Sequence, residues 1–218
     1  MRLHPLLRSA LLPLGLLLLV AGCAREKSDL DESLGQRVTR STCPAVAIPA
    51  YTGDVSLFVP ENSHDARALD VTATITNLRT QCDETGTPVR STVTFDVVAT
   101  RANASGARDL VLPYYWTVVQ AGTKVVSKQV SNVQVHFADG QLRGMGTAGA
   151  AVTVDKAAAS LPASVSQRLN RKRKAGDADA SIDPMSDPRV RRAVEQANFE
   201  FLIGFQLTKD QLAYNVTR

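Results

Sequence analysis

Phe199-Glu200-Phe201-Leu202-Ile203-Gly204-Phe205-Gln206-Leu207 decides how this 218-residue chain is built. Phe199, Phe201, Ile203, Phe205 and Leu207 alternate with Glu200, Leu202, Gly204 and Gln206, a period of two that turns one row of side chains into a core. The stretch reads as a core strand. The same period runs backwards through the chain. Val93, Phe95 and Val97 line one side of a threonine-rich segment from Val89 to Thr100. Leu69, Val71, Ala73 and Ile75 alternate with Asp70, Thr72, Thr74 and Thr76 in a strand reaching Cys82, and Val55, Leu57 and Val59 alternate until Pro60 stops them. Within Lys124–Phe137, Val133, Val135 and Phe137 oppose Gln134 and His136. Leu110 to Gln120 carries bulky residues at both parities, as a strand central in its sheet does.

Turn signals separate these runs. Asp83-Glu84-Thr85-Gly86 and Ala121-Gly122 turn the chain, and Asp139-Gly140 is a two-residue hairpin signal. Its partner strand is expected to start at Gln141 and resume through Val152 and Val154, with its glycines marking a bend. Asp187-Pro188 opens a helix, Asp as N-cap and Pro at the first helical position, with Val190, Ala193, Val194 and Ala197 as its apolar face. Thr208 to Gln211 fits a capping box that opens a final turn containing Leu212 and Tyr214. The expected fold is therefore mainly β: a two-layer antiparallel sandwich, immunoglobulin-like or related, of roughly seven to nine strands with a minor C-terminal helix.

The first forty residues follow a different grammar. Arg2 and Arg8 make a positive n-region, and Leu11 to Val20 is an apolar run too short to span a membrane. Val20-Ala21-Gly22-Cys23 resembles the lipobox of bacterial lipoprotein precursors: an aliphatic residue, two small residues, then the cysteine that is lipidated and becomes the mature N-terminus. The resemblance implies a signal peptide over residues 1–22, acylation (palmitate or a related chain) at Cys23, and attachment to a Gram-negative membrane. Ala24 stands where family members kept in the inner membrane usually carry aspartate, which implies the periplasmic face of the outer membrane. The Cys43-Pro44 opening and the ending Gly204-Phe205-Gln206-Leu207-Thr208-Lys209-Asp210-Gln211-Leu212-Ala213-Tyr214-Asn215 are similar to those of small alphaproteobacterial outer-membrane lipoproteins, a group that supplies no activity to carry over. Residues 23–42 are polar and read as a lipidated flexible tether, and residues 43–218 as one domain.

Processing alters the charge. Loss of Arg2 and Arg8 takes the net charge from +4 to +2, so no surface of nucleic-acid-binding strength is implied. With Cys23 committed to lipid, Cys43 and Cys82 are left together in an oxidising compartment and are expected to form a disulfide. Closing that loop stabilises a fold by roughly 3–4 kcal/mol in the chain-entropy account. A metal site is not expected, since only His64 and His136 accompany these cysteines in the mature chain and neither has ligand spacing.

Two stretches are candidates for contacts. Arg168, Arg171, Lys172, Arg173 and Lys174 form a basic run inside a segment, about residues 163–186, with almost nothing to bury; a disordered insertion is expected there. Its charges suit an anionic envelope polymer, a lipid surface or an acidic partner protein, against a plainer reading in which Asp177, Asp179, Asp183 and Asp187 balance them. Tyr114-Tyr115-Trp116 is a candidate platform for stacking on sugar rings, against a plainer reading as core and sheet surface. Gly144-Met145-Gly146-Thr147-Ala148-Gly149 has the letters of a dinucleotide loop, but the β-branched alternation after it is a bent strand and not a helix. No nucleophile elbow, zinc helix or paired carboxylates are present, and no cofactor is expected. The expectation is a non-catalytic, lipid-anchored envelope protein acting as a binding or assembly module. The alternative is a cell-wall carbohydrate-binding module or peptidoglycan-acting enzyme.

Overall fold

Alternation of core and surface residues generates eight strands in the computed structural model, which describes residues 40–173 and 176–217. They are β1 (Ala45–Ala47), β2 (Asp54–Phe58), β3 (Leu69–Asp83), β4 (Val89–Arg101), β5 (Arg108–Gln120), β6 (Lys124–Phe137), β7 (Arg143–Val154) and β8 (Phe199–Phe205). Four helices accompany them: α1 (Lys156–Ala159), α2 (Ala163–Asn170), α3 (Pro188–Gln196) and α4 (Lys209–Thr217). Of the described residues, 172–173 with 176–181 form one unit and the remainder a second, which contains every strand. In the small unit the Ala180 amide donates to the Asp177 carbonyl, and Arg173 Nε lies 4.0 Å from Asp179 Oδ2.

The strands make one sheet in the order β1-β8-β5-β6-β7-β4-β3-β2. It is a single curled mixed sheet, a half-barrel, and this corrects the expected two-layer antiparallel sandwich of immunoglobulin type. Two features overturn the expectation. β1 runs parallel to β8, with Ala45 opposite Glu200, and the bridge His136↔Met145 joins β6 to β7 so that the two halves of the sheet are continuous. Alternation reports which side chains face a core; it carries no information on whether the core lies between two sheets or inside one that curls.

Glycine makes the curl. A Cβ on Gly144 would lie 2.6 Å from the His136 carbonyl oxygen, and one on Gly146 would lie 2.1 Å from that of Gln134. The β7 backbone crosses β6 too closely for any side chain. Beyond this crossing β7 pairs along its whole length with β4, Val89 opposite Val154 through Thr100 opposite Arg143. The expected hairpin partnership of β6 and β7 is thus reduced to the bridge His136↔Met145, and the connection Ala138–Leu142 is longer than a two-residue turn.

The core fills the inside of the curl. Phe95, Phe137, Phe201, Phe205, Val93, Val97 and Ile203 are fully buried, and Phe95 meets the Tyr114 ring edge-on at 5.1 Å. The two sheet edges approach one another at Thr52-Gly53, between β1 and β2: the Phe205 amide of β8 donates to the Thr52 carbonyl, and the Ile75 amide of β3 donates to the Gly53 carbonyl.

Candidate functional site

Arg40 is the first described residue of the tether, close to where it meets the domain. Cys43 is bonded to Cys82 with their Cα atoms 6.2 Å apart. A bulge in β3 makes this geometry possible. Val71, Ala73 and Ile75 point inward; at that parity Cys82 would point out. Between Thr76 and Arg79 the register with β4 slips by one residue, Asn77 taking a φ of 52°, and Cys82 then stands opposite the buried Ser91. The extra residue turns the cysteine to the inner side.

Asp96 holds the bulge. Arg79 donates to both of its carboxylate oxygens, at 3.0 and 3.1 Å, while Asn77 Nδ2 donates at 2.6 Å and the Thr147 hydroxyl at 3.0 Å. These donors, Arg79 foremost, hold the Asp96 carboxyl far below the usual carboxylate range. The sequence on either side of Asp96 supplies none of these donors. The signal was Asn77 itself, a polar residue at an inward parity.

A second carboxylate secures the incoming chain. Glu84 Oε2 accepts from the Thr42 amide at 2.9 Å, from the Ser41 hydroxyl at 2.9 Å and from the Thr42 hydroxyl at 3.0 Å. The Thr42 amide leads in keeping the Glu84 carboxyl below its ordinary value. Lys156 Nζ, at the start of α1, donates to the Glu84 carbonyl at 2.6 Å, and the Arg40 guanidinium donates to Asn198 Oδ1. Residues 40–43 are thus tied to the end of β3 and to the start of β8. Cys23 and the rest of residues 1–39 lie outside the described residues.

Helix α1 starts at the same end. Lys156 begins α1 immediately after β7, and Ala159 is buried in the core cluster. The segment expected to be disordered is in part helical: α2 occupies Ala163–Asn170, with Val165 and Leu169 half-buried one turn apart. That spacing is one turn of an amphipathic face, too short for a sequence pattern to declare. The cap of α3 forms as expected, Asp187 accepting from the Arg189 amide at 2.8 Å with Pro188 behind it. Arg168 of α2 pairs with Asp187 at 2.7 Å. The basic run is therefore divided: Arg168 and Arg171 belong to the strand-bearing unit, Lys172 and Arg173 to the small unit, and Lys174 lies outside the described residues.

The aromatic triplet is divided by strand geometry, since successive residues of β5 face opposite sides. Tyr114 is buried, and its hydroxyl donates to the Gly149 carbonyl of β7 at 2.8 Å. Trp116, on the same inner side, is half-buried and edge-on to Phe201 at 6.1 Å. Tyr115 faces outward with Lys128 Nζ 5.3 Å from its ring centre. The three rings do not share a surface. The glycine-rich stretch lies within β7 and not at the start of a helix.

His136 pairs with Asp109 across β5 and β6 at 2.7 Å, with both side chains more than half exposed. Among the described residues no cluster of three or more histidine, cysteine or acidic side chains is arranged to hold a metal ion. No described helix is long and apolar enough to cross a membrane. The disulfide fits an extracytoplasmic location. No family model, curated protein or solved structure matches this chain.

Proposed function

We propose that the chain is the precursor of a lipid-anchored envelope protein of a Gram-negative bacterium. Residues 1–22 are removed, Cys23 is acylated, and the half-barrel is carried at the periplasmic face of the outer membrane as a non-catalytic binding or assembly module. One observation supports this reading above the others. The point where the tether reaches the domain is secured by a covalent bridge, Cys43–Cys82, and by the three donors that Ser41 and Thr42 direct at Glu84. A tethered domain transmits any pull on its anchor to that junction. More than one acyl chain is needed for stable attachment, because a single chain binds only marginally.

Cell fractionation tests the anchor. The parent protein is expected in the membrane fraction, and Cys23→Ala in the soluble periplasmic or unprocessed fraction. Equal membrane association of the two proteins overturns the proposal. The binding role is tested separately, by photo-crosslinking in intact cells from positions beside Arg171. Recovery of a specific envelope component supports it. No crosslinked component, with envelope integrity unchanged on alanine replacement of the basic run, removes it.

A further inference from the structure

α3 presents three arginines beside the place where the tether leaves. Its sequence Pro188-Arg-Val-Arg-Arg-Ala-Val-Glu-Gln196 sorts by helical angle into two faces. Val190 and the cap residue Ala197 are buried and Ala193 and Val194 half-buried, while Arg189, Arg191, Arg192, Glu195 and Gln196 are exposed. Arg189 has 84% of its side chain accessible.

The C-terminal end of this helix is fixed in place by its neighbours. Gln120 Nε2 of β5 donates to the Gln196 carbonyl at 2.8 Å, the Ala121 amide donates to the Asn198 carbonyl at 3.0 Å, and Arg40 of the tether donates to Asn198 Oδ1. The tether therefore departs one residue beyond the cap of α3. Seventeen peptide links separate Cys23 from Arg40, which bounds the distance from lipid to Asn198 at about 60 Å.

We infer that the arginine face of α3 docks on the anionic bilayer that carries the anchor, turning the disulfide end of the half-barrel toward the membrane. This rests on the proposed acylation at Cys23. The charges of the tether cannot supply the attraction, since Arg25, Lys27, Arg37 and Arg40 are cancelled by Glu26, Asp29, Asp31 and Glu32. On α3 three arginines stand against Glu195, and the N-cap acid Asp187, 3.8 Å from Arg189 Nε, is shared with Arg168, so the four arginines outnumber the two acids. A lipid surface suits this face better than a protein partner. Its exposed positions contain no aromatic or large aliphatic residue of the kind that anchors a protein interface, and phosphate headgroups require charge alone. The attraction acts over a Debye length of about 8 Å, and the anchor strengthens it by keeping the domain near the surface.

Vesicle co-sedimentation of the full-length mature chain tests this with two proteins. Unacylated Cys23→Ala protein is expected to bind vesicles of neutral lipid containing a third of an anionic phospholipid, to ignore purely neutral vesicles, and to dissociate at high salt. Arg189→Gln, Arg191→Gln and Arg192→Gln should each weaken binding by about fivefold, and the triple variant should melt at the parent's temperature because the side chains are exposed. Equal binding to neutral and anionic vesicles, or an unchanged affinity in the folded triple variant, overturns the inference. The acylated protein separates the two claims. If it binds both vesicle types and its 188–196 segment gains hydrogen-exchange protection on neither, the anchor stands and the docking fails. If native protein lacks acyl chains while the Cys23→Ala protein still prefers anionic vesicles, the docking face stands and the anchor fails.

Discussion

The two ends of the half-barrel are secured by opposite means. At one end, a disulfide and a carboxylate clamp hold residues 41–43 to the end of β3. At the other, a buried arginine and the hydrogen bonds around it do the equivalent work without a covalent bond. Arg101, 3% exposed, closes β4 with its guanidinium 5.2 Å from the centre of the Phe137 ring. Its Nε donates to the Gln141 carbonyl at 2.9 Å, and its Nη2 donates to the carbonyls of Ala104 at 2.7 Å and Ala138 at 3.0 Å. The β4–β5 loop is thereby joined to the β6–β7 turn, alongside the Gly140 amide, which donates to the Ala104 carbonyl, and Asp139, which accepts from the Gly106 amide at 2.7 Å. A fork of rigid donors can bridge carbonyls that a point charge cannot. The difference teaches where load is expected: loops that only need to be kept in register are satisfied by hydrogen bonds, while the junction with the tether carries the cross-link.

Removing the cross-link has the largest expected effect. Cys43→Ala with Cys82→Ala is expected to cost about 3–4 kcal/mol in denaturant titration. Hydrogen exchange should then accelerate first in β1 and in the last residues of β3, while the loops around Arg101 keep their protection. Loss of protection at both ends together would show that the ends are not independent. Arg101→Ala performs the converse experiment. It removes three hydrogen bonds, leaving the Ala104 and Ala138 carbonyls with only the Gly140 and Gln141 amides as donors, and should cost about 2–3 kcal/mol, with faster exchange confined to residues 102–107 and 138–142. Arg101→Lys should recover only part of this, because an ammonium lacks the planar fork.

The smallest effect sharpens the picture at the centre of β3. Asp96→Asn removes the charge that Arg79 and Asn77 address, and its urea midpoint should fall below the parent's at pH 7. The sign with pH follows from the lowered folded-state affinity of Asp96 for a proton. Its contribution is fully present above the unfolded value of 3.8 and is lost as pH falls through the lower folded value. The difference between variant and parent should therefore shrink below about pH 4. A gap that widens in acid would contradict the assigned network.

Much of this architecture was legible in alternation, and its limits are physical. β4 and β8 could be read residue by residue because one face of each is buried throughout. The Asp187 N-cap and the Thr208–Gln211 capping box were legible because both depend on neighbours in sequence; the Thr208 amide donates to Gln211 Oε1 at 2.9 Å and the Gln211 amide donates to Thr208 Oγ1 at 3.2 Å. Arg101 was legible in principle, since it continues the inward parity of Val97 and Ala99. Sheet order was not. β1 is three residues long and joins the sheet through a parallel pair, and the crossing of β7 over β6 depends on glycines whose letters fit a bend, a bulge or a loop equally. Of the candidate contact residues, Cys43 and Cys82 followed from counting cysteines. The α3 arginines were visible only as the polar side of a helix, because their place beside the tether depends on the parallel course of β1 and β8.

The proposed anchoring depends on what becomes of the thiol at residue 23, and the mass of the N-terminal peptide of protein purified from native membranes measures it directly. The account predicts a peptide that begins at Cys23 and carries acyl chains. A peptide that retains residues 1–22, or an unmodified Cys23, would contradict it.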